Sequence, residues 1–308
     1  MRASGEWRTL LLLSVCYLLW GALTYYASEI GLWIALPLLV ACITLHSSLT
    51  HELIHGHPFR QDWLNAVVGF PALGLFVPYL RFKTLHIEHH RDELLTHPGE
   101  DSESFYMYQA QYQDCCRLRR AIHRANNTLL GRMSLGTFMA LGRFWYSELQ
   151  LLLRGHGAVA RAWAFHLLAM VPVFLWLRLM TDMSLWVYAG CATAGYSILT
   201  IRTFLEHRAH EDVKARTVVI EDRGLLSLLF LNNNYHSVHH AHPQMPWYEI
   251  PAAFRADRDG YLRDNGNYYF RSYGEVFARY FLKAKEPVVH PLIPGPSAGV
   301  EHPGMERA

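Results

Sequence analysis

Apolar residues along the chain fall into four runs, at residues 9–27, 29–45, 159–180 and 184–205, separated by polar stretches. Each run approaches the roughly 20 apolar residues that a helix needs to cross a hydrocarbon core. The pattern predicts about four transmembrane helices, arranged as two pairs. A fifth apolar stretch, 63–80, is interrupted by Gly69, Pro71, Gly74 and Pro78. Glycine and proline break a continuous helix, and irregular backbone at membrane depth is tolerated only where protein covers it. This stretch is therefore expected to be a re-entrant or interfacial segment. The polar parts, 81–157 and 206–308, form a helical cap on the helix ends, so residues 1–285 read as one all-α membrane domain. Residues 286–308 are rich in proline and glycine with little to bury, and are expected to be a disordered tail.

Charge orients the spans. Arg2 and Arg8 precede the first run, no Lys or Arg lies in the 28–30 turn, and only Arg178 sits near the 180–184 turn. By the positive-inside rule both termini and the polar cap face the cytoplasm, beneath the plasma (inner) membrane if the chain is bacterial. The first run is long for a signal peptide and no A-x-A site follows it, so a cleaved leader is not expected. Of the 308 residues, 51% are hydrophobic and 18% charged, with a net charge of +2. The absence of a basic stripe argues against a nucleic-acid partner. The five cysteines form no C-x-x-C, so no iron–sulfur or rubredoxin-like carrier is built in.

The chemistry lies in the histidines. His51 and His55 are spaced i, i+4, while His86/His89/His90 and His236/His239/His240 share the pattern H-x-x-H-H. These spacings put imidazoles on one helix face, within about 5–6 Å of one another, so that they can converge on an ion. Eight donors are too many for one metal and about right for two. Imidazole suits zinc, copper, iron and nickel alike, so the ligand type does not name the metal. Alone, His51-Glu52-Leu53-Ile54-His55 also spells the H-E-x-x-H of zinc proteases, with Glu52 as base. Such a site needs one further ligand, whereas this chain offers two further triples. A non-enzymatic membrane metal carrier is a third reading, but transport sites sit near the bilayer midplane, and these clusters stand at helix ends. The other histidines are isolated (His123, His156, His166), lie in the tail (His290, His302), or flank a cluster without completing its spacing (His46, His57, His97, His242).

The three boxes, their order and their placement around two pairs of spans resemble the membrane fatty acid desaturase superfamily, whose members include alkane hydroxylases and carotenoid ketolases. The resemblance runs from about residue 40 to 255. It implies a cytoplasmic di-iron centre held by His51, His55, His86, His89, His90, His236, His239 and His240. It also implies O2 as co-substrate, a lipid or fatty acyl substrate, and a separate electron donor of the ferredoxin, rubredoxin or cytochrome b5 type with its reductase. Members of the family add a ninth histidine just after the fourth span. Glu206-His207 resembles the corresponding stretch of alkane hydroxylases, which makes His207 the ninth ligand and leaves His210 as its alternative. Some members place an asparagine four residues before that histidine; here the position is Thr203.

Metal-bound imidazoles donate their second N–H to a carboxylate or carbonyl, and His210, Glu52, Glu88, Asp92, Glu206 and Asn234 are the candidates for that work. The two-residue spacer between His86 and His89 and the third box resemble desaturases, while His51-Glu52 and Glu206-His207 resemble alkane hydroxylases. The reading that follows is an acyl-lipid desaturase, with a hydroxylase or ketolase of a lipid, alkane or carotenoid as the alternative.

Overall fold

The computed structural model describes residues 6–293 and 295, apart from the side chain of Asp92. The main elements, in chain order, are α1 (Trp7–Tyr25), α2 (Leu32–Ile54), α3 (Asp62–Val68), α4 (Tyr79–His89), α5 (Arg117–Asn126), α6 (Thr137–Leu153), α7 (Gly157–Met180), α8 (Leu185–Thr203), β1 (Val219–Ile220), α9 (His236–Ala241), α10 (Ile250–Ala256), α11 (Arg258–Asp264), β2 (Tyr269–Phe270) and α12 (Tyr273–Tyr280). They divide into two compact units, one formed by Met1–Thr84, Ser147–Leu199 and Leu228–Leu231, the other by Leu85–Tyr146, Thr200–Ser227 and Asn232–Ala308.

In the first unit, α1, α2 and α7 are long and apolar enough to cross a membrane. Their outward faces carry large exposed apolar side chains, among them Leu18, Ile34, Leu38, Leu167 and Leu175, an excess that water would penalise and lipid accommodates. α8, the fourth expected span, is as long as α1. It does not join those three, because Gly190, Thr193, Gly195, Ser197, Thr200 and Arg202 dilute its apolar character.

The 63–80 stretch is no continuous helix. α3 stops at Gly69, where a Cβ would lie 2.7 Å from Leu53 Cδ1 and 3.2 Å from the Asn65 carbonyl oxygen. Beyond it the backbone is irregular, with Leu75 at φ 64°. Its polar groups are satisfied by side chains and backbone of the neighbouring apolar helices. Ala72 N–H donates to Ala169 O, Tyr188 O–H to Leu73 O at 2.8 Å, and His166 Nε2–H to Leu75 O at 2.8 Å. Trp20 Nε1–H donates in turn to Tyr188 Oη. These bonds satisfy the requirement that broken backbone among apolar helices find partners inside the protein. His166 thus has a structural task.

Where α4 begins, buried Arg81 donates from Nε to both oxygens of buried Glu148, and Trp163 Nε1–H donates to the same carboxylate. Removing one partner of a buried pair strands the other charge, at a cost of about 3–5 kcal/mol. Glu148→Ala is accordingly expected to lower the thermal midpoint in detergent sharply, and Glu148→Gln, which keeps an acceptor for Trp163, to lower it less. Equal midpoints for the wild type and the Ala variant would show that the pair contributes nothing.

The second unit builds a small core beneath the third box. Val219, Tyr235, Val238, Ile250, Phe254 and Leu262 pack together, and β1 pairs in parallel with β2 in the register Val219↔Tyr269, Ile220↔Phe270. Within α9 the helical period separates Val238, fully buried in this core, from His236, His239 and His240 at i, i+3, i+4. The expected tail boundary at 286 needs correction. Residues 286–293 are held against the second unit: Met107 N–H donates to Val288 O, His290 N–H to Met107 O, and buried His290 shares a hydrogen bond with Thr96 Oγ1 at 3.1 Å. Composition alone missed these partners, which lie about 180 residues upstream. His302 falls outside the described residues.

Candidate metal centre

The second unit gathers seven imidazoles. His89, His207, His236 and His240 each offer a ring nitrogen within 4.8 Å of the others, and His86, His90 and His239 do likewise. α4 presents His86 and His89, with His90 one residue past its end; α9 presents the third box; His207 follows α8. In the first group, His207 Nε2 stands 2.9 Å from His89 Nε2 and 3.1 Å from His236 Nε2. In the second, His90 Nε2 stands 3.1 Å from His86 Nε2 and 3.0 Å from His239 Nε2. The groups adjoin where the rings of His90 and His240 stack at 4.4 Å.

The opposite ring edges fix the tautomers. His89 Nδ1 lies 2.8 Å from Asp101 Oδ1, His86 Nδ1 lies 3.0 Å from Glu103 Oε1, and His236 Nδ1 lies 3.0 Å from Asn233 Oδ1. Each acceptor calls for Nδ1–H, which turns the Nε2 lone pair inward. The inward nitrogens of His89 and His236 then both face His207 Nε2, and a single proton can bridge only one of these two contacts. Lone pairs at such separations are repulsive unless a cation stands among them. Two nitrogens about 2.1 Å from one ion and at right angles around it lie about 3.0 Å apart, which is the spacing found. The donor set, all imidazole and backed by carboxylates, therefore fits a pair of divalent transition ions.

Electrostatics agree with this assignment. Burial first, then the neighbouring imidazoles and cations, hold His207 and His236 well below the usual histidine range. Burial likewise lowers His86 against the pull of Glu103. His89 is the exception. Burial lowers it too, but Glu103, Asp101 and Glu206 together outweigh this and raise it to about 9. A ring that retains its proton in the absence of a cation is one whose surroundings favour positive charge at that point. Glu206 is raised by burial to about 7 against the opposing pull of Arg202, whose Nε lies 2.8 Å from its Oε1.

His51 and His55 are described with the first unit. They occupy the end of α2, both buried, with ring centroids 4.7 Å apart. Of the two candidates for the ninth position, His207 lies among the clustered rings, whereas His210 turns its Nδ1 to the backbone of Asp212.

Several residues singled out as partners of the ligands lie elsewhere. Glu88 is half-buried and pairs with Arg91. Asn234 donates to the carbonyls of Ile220 and Asp222, and so fastens β1 rather than a ring. The side chain of Asp92 is outside the described part, and Glu52 is buried on α2. Glu206 does stand behind the site, with Oε1 3.4 Å from His236 Nδ1. The residues that grip the rings directly are Asp101, Glu103 and Asn233. Asp101 and Glu103 sit in an acidic turn, Glu100-Asp101-Ser102-Glu103, 12 and 17 residues from the rings they hold. An acidic turn downstream of a histidine box is a visible signal, though it does not show which ring each carboxylate reaches. Asn233 precedes His236 by three residues, the spacing of a local turn bond.

Residues 27–273 match the family model described as fatty acid desaturase. No curated protein matches the chain.

Proposed function

The chain belongs to the fatty acid desaturase family, and we propose that it is an O2-dependent, membrane-bound acyl-lipid desaturase with a histidine-held di-iron centre and an external electron donor. The observation that carries this reading is the pair of adjoining imidazole groups, backed by Asp101, Glu103 and Asn233, in an oxidoreductase family. His89, His207, His236 and His240 would hold one ion. His86, His90 and His239 would hold the other, with His51 and His55 as its remaining ligands, since three imidazoles alone leave such an ion under-coordinated. When bound, the iron pair supplies O2 activation and the removal of hydrogen from a saturated methylene.

The chain's own part is to bind, orient and neutralise. Asp101 and Glu103 keep His89 and His86 in the Nδ1–H tautomer, so that both rings offer Nε2. Arg202 holds Glu206 with Oε1 toward His236 Nδ1, where that carboxyl can keep or release a proton near neutrality. The donor is of the ferredoxin, rubredoxin or cytochrome b5 type, the substrate is an acyl lipid of the bilayer, and no nucleic acid takes part.

Desaturation and oxygen insertion begin with the same hydrogen removal, so the fate of oxygen distinguishes them. Turnover under 18O2 with a reductase system is expected to give an unsaturated chain free of label, with the heavy oxygen in water. Label in the product as hydroxyl or keto oxygen would overturn desaturation in favour of a hydroxylase or ketolase.

Four crossings, α1, α2, α7 and α8, would place both termini and all three boxes on the cytoplasmic side. Trp33 and Trp186 support α8 as the fourth, since they are 96% and 87% exposed near the first turns of α2 and α8, as interfacial anchors are. In a cysteine-free background, Glu29→Cys and Asp182→Cys should react with an impermeant reagent from outside, and Arg60→Cys and Met245→Cys only from inside. Reaction of Met245→Cys from outside would refute this topology.

A further inference from the structure

The second unit carries a surface that the metal chemistry does not use. α5, RLRRAIHRAN, holds four arginines and no carboxylate in a chain whose net charge is only +2. Arg120 turns back to the carbonyls of Tyr112 and Gln113. Arg117, Arg119 and Arg124 are exposed, and no carboxylate pairs with them among the described residues.

The same helix carries Leu118, Ala121, Ile122 and Ala125 at i, i+3, i+4, i+7, and Leu118 is 70% exposed. This apolar stripe extends beyond the helix. Leu130 N–H donates to Phe281 O at 3.0 Å, which sets exposed Leu130 beside exposed Phe281 and Leu282, the latter 73% exposed. Lys283, also exposed, follows directly, and Lys285 N–H donates to the carbonyl of Asn127 at the end of α5.

Water disfavours such a set of leucines, and a cluster of unpaired cations around them calls for an anionic partner with an apolar part. Lipid phosphates over an acyl boundary offer both, in the arrangement that basic amphipathic helices recognise. A soluble acidic protein would satisfy the charges alone, and leucine is scarce among the residues that carry affinity between proteins. A chain of this family also has a bilayer at hand. We propose that this face, with Arg117, Arg119, Arg124 and Lys283 around Leu118 and Leu282, docks on anionic lipid headgroups of the membrane, the guanidinium groups on lipid phosphate.

Cys116, exposed and adjacent to Arg117, offers a site for a probe; the other four cysteines are buried. Metal-loaded full-length protein, labelled there with an environment-sensitive fluorophore, is reconstituted into vesicles of phosphatidylcholine alone or with about one third phosphatidylglycerol. Brominated phosphatidylglycerol is expected to quench the probe at least about two-fold more than brominated phosphatidylcholine, and added salt to reduce the difference as it screens the charges. The triple variant Arg117→Gln, Arg119→Gln, Arg124→Gln should lose the difference while keeping its metal content, which serves as the control for folding. Equal quenching in both lipids, or undiminished selectivity in the triple variant, would overturn the proposal. Loss of donor-driven turnover in that variant without any lipid selectivity in the wild type would overturn it in favour of a protein-docking surface.

Discussion

His207→Ala is expected to reduce O2-dependent turnover below detection and to lower bound iron from about two per chain to about one, because its Nε2 lies between those of His89 and His236. No neighbouring ring can take its place. His210 faces the backbone of Asp212, and His240, already in the same group, has its own nitrogen to contribute. His210→Ala should therefore retain iron and turnover, and His123→Ala, which belongs to neither group, should be near silent. Metal analysis and product formation on the same preparations make the test. Iron lost in His210→Ala and kept in His207→Ala would reverse the assignment, and stoichiometric zinc without iron in active wild-type protein would dismiss di-iron chemistry altogether.

Asp101→Asn is expected to weaken metal retention by about 10–100-fold, the usual penalty for losing the group that orients a ligating imidazole. Asp101 Oδ1 accepts from His89, and its Oδ2 accepts from the backbone of Thr96, so the carboxylate stays fixed while it supplies negative charge behind the ring. The amide preserves the shape and removes the charge. Competition with a chelator over a range of pH reads the effect. Imidazole must be neutral to ligate, so retention is complete at higher pH and is lost as pH falls through the range where protons outcompete the metal, below about 6 for ordinary histidines. His89 retains its proton up to about 9 without metal, because its carboxylate neighbours outweigh burial. Metal entry at neutral pH must therefore expel that proton, and wild-type affinity should still rise between neutrality and about pH 9. In the Asn variant that rise should level off at a lower pH, since one of the charges holding the proton is gone. An unchanged affinity and pH profile would mean that Asp101 merely shapes the turn.

Much of this was legible in the residues. The apolar runs marked α1, α2 and α7, and the breaks at Gly69, Pro71, Gly74 and Pro78 forecast a segment that is not one helix. Helical spacing predicted that His86, His89 and His90 would share a face, as would His236, His239 and His240, because a period of 3.6 residues is a local property of the backbone. α8 was expected to be a fourth span on the length of its apolar run, but its small and hydroxyl residues keep it out of the set that is apolar enough to cross. The bonds that hold residues 286–293, which composition assigned to a tail, could not be foreseen, since they go to Thr96, Tyr106 and Met107.

By itself the sequence determined the number of imidazoles, their local spacing and the long apolar helices, since each depends only on near neighbours along the chain. Tertiary structure decided which rings stand together and which groups grip them. His89 meets His207 across 118 residues, and His90 meets His239 across 149. Asp101, Glu103 and Asn233 take the places for which Glu88 and Asn234 were candidates, because a hydrogen bond depends on where an oxygen arrives in space, and a loop sets that through contacts remote in the chain.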